Sequence, residues 1–583
     1  MKHTMNTPLA ALMVLICGLW MGPVGCDLND GPEVLDSPNN AQDDPPAMDA
    51  GQDEDAEQDT STPPEQDAAD DAVEQDTAQM PDVPDPPDAA EDAAEDVAEP
   101  PMDVQEMDDV EEEEDAQEPD VPDPPPPGED PFAPQPDTSQ GLTNVSASLG
   151  ALLENGALAT ACDLYRINPD DERQKLLCGK EMFFYEAFGT VGIPAPIFDF
   201  MGNRMPDFAP GFEGLGMVQD PNSFQGRPLG VADGRPLGLV PTVAFTCASC
   251  HFGQLPDGRY AVGAANHQYE YGLQNLAVLM LPTSVTPGWD PAAHHSLAIE
   301  RLDPMITRLQ EDDALRGELF LNLLPLIGEI NNVPSIDVEI EGHYARWAPG
   351  TMDFLISPLP ADDEVMTVSK IAPLWAIPTP AERQAAGMDS AMLGWTGNTP
   401  SLAHFVADFV RIGGGNTELW PADRLEPLVA YIHSLRAPEP LDAPDAELVQ
   451  RGAALFAQQG CTDCHSGPRG SGLQIYDFET IGTDDRMMLW GDPDQDGQYC
   501  CELDGPDAIS PTHGIKSPRL VGLWTMERWL HNGAVEDFGA LLCLDGPRTD
   551  EGAEPGYSAA GHTFGCDMER ADKEALIAYL LSH

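Results

Sequence analysis

The chain has 583 residues, 102 acidic and 27 basic, for a formal charge of −75 at pH 7. Nucleic acid and anionic lipid both call for a basic face, and none is visible. Those partners are excluded, and so is a transmembrane bundle, because no stretch beyond residue 26 is long and apolar enough to span.

Residues 1–26 read as an export signal. Lys2 supplies the positive charge, Pro8–Trp20 is uncharged and mostly apolar, and the segment ends Pro23-Val24-Gly25-Cys26. A small residue before Cys resembles a bacterial lipobox, so Cys26 is expected to carry lipid, the only membrane attachment foreseen. The alternative is a plain secretory signal. Either way the expected location is the periplasm or the outer cell surface, where disulfides are permitted. Residues 27–140 hold 41 acidic side chains and no Lys or Arg. Rich in Pro, Ala and Gln as well, they cannot bury enough apolar surface to offset chain entropy, and a disordered acidic linker is expected.

Two motifs carry the chemistry. Cys247-Ala-Ser-Cys250-His251 and Cys461-Thr-Asp-Cys464-His465 both match C-x-x-C-H, the attachment signature of c-type haem. Two thiols at this spacing add to the haem vinyl groups, and the adjacent His falls under the iron as an axial ligand. Two copies make coincidence negligible. A Cys/His zinc site is the rival reading, since C-x-x-C pairs also bind zinc. Two covalently attached haem c groups are the expected cofactors.

An internal repeat surrounds the motifs. Leu448, Gly452, Leu455 and Phe456 recur on one helical face before the second motif, and Gly179 and Phe183 repeat the Gly-x-x-x-Phe step upstream of the first. Leu428–Ser434 parallels Leu576–Ser582, and Leu425, Leu428, Val429, Ile432 and Leu435 form an apolar stripe. Each unit reads as helix, motif, closing helix. The expected fold is mainly α, with two cytochrome-c-like haem domains at 141–440 and 441–583. The boundary falls in the Pro-rich stretch Arg436–Pro444, and the first unit carries the longer insertions.

Beyond the haem motifs the chain resembles the bacterial di-haem cytochrome c peroxidase superfamily, which includes methylamine-dehydrogenase maturases and di-haem rubber oxygenases. The carrying segments are Gly179–Phe184, Cys247–Gly258, Arg346–Phe354, Trp395–Leu402 and Pro518–Gly533. The run Met526-Glu527-Arg528-Trp529 departs from the family pattern before His-Asn-Gly. The resemblance implies an oxidoreductase that takes electrons from a donor protein and passes them between two haems to peroxide or oxygen. A pure electron carrier and a surface scaffold with structural haems are the alternatives. It also implies His267 as a distal residue of the first haem and His562 as the distal ligand of the second. His267 and His531 are the candidate catalytic residues. His294, His295, Met205 and Met217 rival His267, and Met568 rivals His562. Trp347, Trp395, Trp524 and Trp529 are candidates for the space between the haems, against plain core packing.

Six cysteines remain. Cys162 and Cys178 form the natural local pair, and adjacent Cys500 and Cys501 are expected to bond to different partners, with Cys543 and Cys566 as candidates. Asp492–Gly497 alternates carboxylates and ends in Gly like a calcium loop, or is an acidic surface turn. Family members hold calcium between their domains, so calcium is a further candidate cofactor.

Overall fold

The computed structural model describes residues 145–583, apart from short breaks and the stretches 325–337, 354–367, 388–392, 490–513 and 550–555. The signal segment with Cys26, the acidic linker, the Asp492–Gly497 loop, and Cys500 and Cys501 lie outside the described residues.

The described chain is mainly α with four small antiparallel sheets of two or three strands. Two helix pairs organise it. In the first, Glu172–Tyr185 crosses Ala422–Ser434; in the second, Ala446–Gln458 crosses Arg570–Leu580. The leading helix of each pair starts on an aspartate whose carboxylate accepts two orphan amides. Asp171 accepts from Arg173 and Gln174, and Asp445 from Glu447 and Leu448.

Each crossing is made at a glycine. A Cβ on Gly179 would lie 2.1 Å from the Pro427 carbonyl oxygen and 2.5 Å from Tyr431 Cβ. A Cβ on Gly452 would lie 2.1 Å from the Ala575 carbonyl oxygen and 2.6 Å from Tyr579 Cβ. One turn later the aromatic partners meet. The rings of Phe183 and Tyr431 are 5.9 Å apart, and those of Phe456 and Tyr579 are 5.6 Å apart. The sequence repeat is therefore also a packing repeat. One member of the expected stripe is corrected. Leu448 points outward, 37% exposed, while Gly452, Leu455 and Phe456 are buried. Leu448 sits in the first turn beside the Asp445 cap.

The insertion between the helices of the first pair builds its own helices, Tyr271–Ser284, Ser296–Glu311 and Asp313–Leu323. Its apolar side chains join the second pair in one core. Ile197, Phe198, Leu276, Leu302 and Leu309 belong to the same buried cluster as Phe456, Leu576 and Tyr579. The first pair has a separate cluster with Phe183, Leu428, Tyr431 and Trp375. The chain passes through Arg436–Pro444 without the larger core being interrupted.

Cys162 bonds to Cys178, as expected, whereas Cys543 bonds to Cys566, which corrects the expectation that these two would take up Cys500 and Cys501. The reason is local. Cys543 follows the short Phe538–Leu541 helix and Cys566 precedes the closing helix, and buried Lys573 on that helix donates to both of their carbonyls, at 2.9 and 2.6 Å.

Candidate haem sites

The first motif is a five-residue helix, Cys247–His251, fed by the strand Thr242–Phe245. Thr246 caps it. Its hydroxyl accepts from the Ala248 amide at 3.3 Å and lies 2.9 Å from the Phe183 carbonyl. The motif is thereby tied to the leading helix of its own pair. The following chain folds back over it: the Gly263 amide donates to the His251 carbonyl at 2.7 Å, and the Asn266 amide to the Cys250 carbonyl at 2.9 Å. The second motif is a short 3-10 turn, Cys461–Asp463, that follows Gln458 after one loop.

All four motif cysteines are free thiols, whereas the other described cysteines past residue 144 are disulfide-bonded. Burial pushes the Cys247 thiol up to about 12 and the Cys250 thiol up to about 11. Cys461 is also raised by burial.

The histidines are neutral and oriented. Burial lowers His251 to about 4. Its Nδ1 makes no hydrogen bond, but the Ala372 carbonyl lies close enough to favour the charged form. His465 is lowered by burial, against the Gly470 and Pro518 carbonyls, and its Nδ1 lies 2.7 Å from the Gly470 oxygen. That bond places the proton on Nδ1 and leaves Nε2 as a lone-pair donor, the tautomer an axial ligand requires.

His562 sits in a tight loop. Gly561 has φ +83°, and a Cβ there would strike Gly482 at 2.4 Å. The His562 amide donates to the Ile481 carbonyl at 2.8 Å. Its Nδ1 is buried without a partner. Burial lowers it to about 4, and His465 is the next largest influence, so the two imidazoles lie within electrostatic reach of each other. Met568 packs below the same loop, its sulfur facing Gly565. No titratable neighbour shifts His251 in this way.

His267 lies at the join of the two halves. Its Nε2 accepts from the Glu527 amide at 3.4 Å, while its buried Nδ1 has no partner. It lines a cleft of about 810 Å³ with Glu270, Met526, Arg528 and Trp529. Burial lowers it to about 3, helped by Lys370 and Arg528. The departing run therefore closes over His267, with Arg528 anchored to the Pro349 carbonyl at 2.8 Å. His531 is buried elsewhere, its Nδ1 3.4 Å from the Thr483 hydroxyl and its ring edge-on to Trp395 and Phe478. Burial lowers it to about 3 as well, followed by Lys370.

The other candidates separate. His294 is paired with Glu341 at 2.8 Å, His295 caps its helix, and Met205 and Met217 are packed in the insertion's core. Trp347 stacks on Tyr271 and Trp529 on Phe538. Trp524 donates to the Pro438 carbonyl at 2.9 Å, and Trp395 donates to the Ser369 hydroxyl at 2.9 Å.

Among the described residues, no group of three or more His, Cys, Asp or Glu is gathered to hold an ion.

Sequence reasoning missed Lys370, Lys516 and Trp375. Trp375 wedges between the Val262 carbonyl, which accepts its indole N–H at 2.8 Å, and Gly522 from the second half. Both lysines are buried, and burial lowers each to about 7. The signal for them was a short repeat, Lys370-Ile-Ala-Pro-Leu374 and Lys516-Ser-Pro-Arg-Leu520. No protein-family model matches the chain, and no curated protein matches it.

Proposed function

We propose that the protein is an exported di-haem c-type cytochrome that works as an oxidoreductase. The carrying observation is the pair of C-x-x-C-H motifs, each with two cysteines outside any disulfide and a half-buried histidine kept neutral by desolvation, each beside a glycine-crossed helix pair. The cytochrome-c-like reading of the two halves and the resemblance to di-haem peroxidases belong to this proposal, as do the signal segment and the lipid anchor at Cys26. A covalently held haem supplies one-electron redox chemistry and an iron able to bind a small oxidant.

This chain's residues divide the labour. His465, with its proton held on Nδ1 by Gly470, lies within electrostatic reach of His562, and two imidazoles suit an electron relay. Among the described residues, no histidine is an influence on His251, which favours the first site for binding the oxidant. His267, neutral and with one unpartnered nitrogen, is suited to take or give a proton nearby. Reduction of hydrogen peroxide then consumes two electrons from a donor protein and two protons, and releases two waters.

The test is haem content. The pyridine haemochrome of purified protein is expected to give two covalent haems per chain, and Cys461→Ser with Cys464→Ser to give one. Fewer than two in the wild type sinks the reading.

A further inference from the structure

A buried ammonium needs an anion or several acceptors to offset its lost hydration. Five lysines are described. Lys175 pairs with Glu426, Lys180 with Glu154 at 3.0 Å, and Lys573 with two carbonyls. Among the described residues, neither Lys370 nor Lys516 is paired with a carboxylate. Lys370 donates to the Arg528 carbonyl at 3.1 Å and lies over the faces of Trp395 and Trp529, and burial is the first influence on Lys516, followed by Arg519. They are 8% and 6% exposed.

Their placement repeats. Lys370 ends the strand Val368–Lys370, and Lys516 ends the strand Gly514–Lys516. Two residues after each comes the carbonyl that faces a motif histidine, Ala372 for His251 and Pro518 for His465. Four residues after each comes a leucine amide bonded to the chain beyond the motif, Leu374 to Gly263 at 2.8 Å and Leu520 to Arg469 at 2.9 Å. The two segments also touch. Arg519 donates to the Trp375 carbonyl at 3.0 Å and to the Pro373 carbonyl at 2.9 Å, and Lys516 N–H donates to the Trp395 carbonyl at 2.8 Å.

We infer that Lys370 and Lys516 are matched anion clamps, each binding a haem propionate carboxylate, Lys370 for the first haem and Lys516 for the second. The inference rests on the di-haem reading. It adds that the propionate edges of both groups are drawn to the seam where Arg519 joins the halves. With the haems in place, each ammonium would hold positive charge near a propionate and so disfavour the ferric state.

The experiment is a spectroelectrochemical titration of the full-length protein, with haem content measured on the same samples. Lys370→Met is expected to lower the potential of the first haem, and Lys516→Met that of the second. The expected size is about a tenfold change in the oxidised-to-reduced ratio, or about 59 mV for a one-electron couple. Both haems stay attached, because the thioethers are untouched. Lys370→Arg and Lys516→Arg keep the charge and are expected to restore the wild-type potentials. Lys370→Gln and Lys516→Gln serve where a methionine variant does not fold. Two haems with unmoved potentials overturn the clamps alone. A wild type with fewer than two haems overturns the di-haem reading, and the clamps with it.

Discussion

At His562 the local chemistry points one way. The residue has φ +45°, a conformation that L side chains rarely adopt, and it follows a glycine at φ +83° packed on Gly482. Arg548 holds the carbonyls of Gly561 and His562, so the loop is fixed on both sides. A strained, braced residue with an unpartnered buried nitrogen, within electrostatic reach of His465, is arranged to present its ring. His562→Ala is expected to turn the second site from low-spin to high-spin in resting-state EPR, with haem content unchanged. A surviving low-spin signal assigns the ligand to another residue, Met568 first. His562 was legible in the sequence through its glycine-flanked loop. The environment of His267 was not, because the amide that engages it belongs to Glu527, 260 positions away. Lys370 and Lys516 were hidden for a similar reason. A lysine in a strand reads as solvent-facing, and only the fold shows that both are buried.

The two helix pairs are the elements that the sequence revealed best. Gly-x-x-x-Phe and the apolar stripe of the closing helix are local patterns, and both survive into contacts at Gly179, Phe183, Gly452 and Phe456. The small sheets were not legible, since strands of two to four residues carry too little alternation to register. The crossing geometry makes a sharp prediction. Gly452→Ala puts a methyl group against the Ala575 carbonyl, which is backbone and cannot step aside. The pair must separate, at a cost of about 1–3 kcal/mol by the usual scale of overpacking. Urea unfolding is the measurement, and a midpoint equal to that of the wild type would mean that the helices cross elsewhere. Gly452 to Ser adds the same Cβ and is expected to lose at least as much.

Across the whole molecule, the two units read from the sequence share apolar packing. The Pro-rich stretch Arg436–Pro444 reads as the boundary between them. The insertion in the first unit buries Ile197, Phe198 and Leu276 in the same core as Phe456, Leu576 and Tyr579 of the second. The paired strands Thr351–Asp353 and Val368–Lys370 add polar ties, with the Lys370 amide donating to the His531 carbonyl at 2.8 Å. Composition cannot reveal this, because an apolar helix does not say which half it packs against. A shared core makes unfolding of one half expose apolar surface on the other, so the two are expected to unfold together. Equilibrium denaturation followed by backbone circular dichroism, tryptophan fluorescence and Soret absorption is expected to give one midpoint, and Gly452→Ala is expected to move all three probes together. If the mutation instead splits the transition, leaving part of the helical signal at the wild-type midpoint, the halves fold independently and the continuous core contributes little to holding them together.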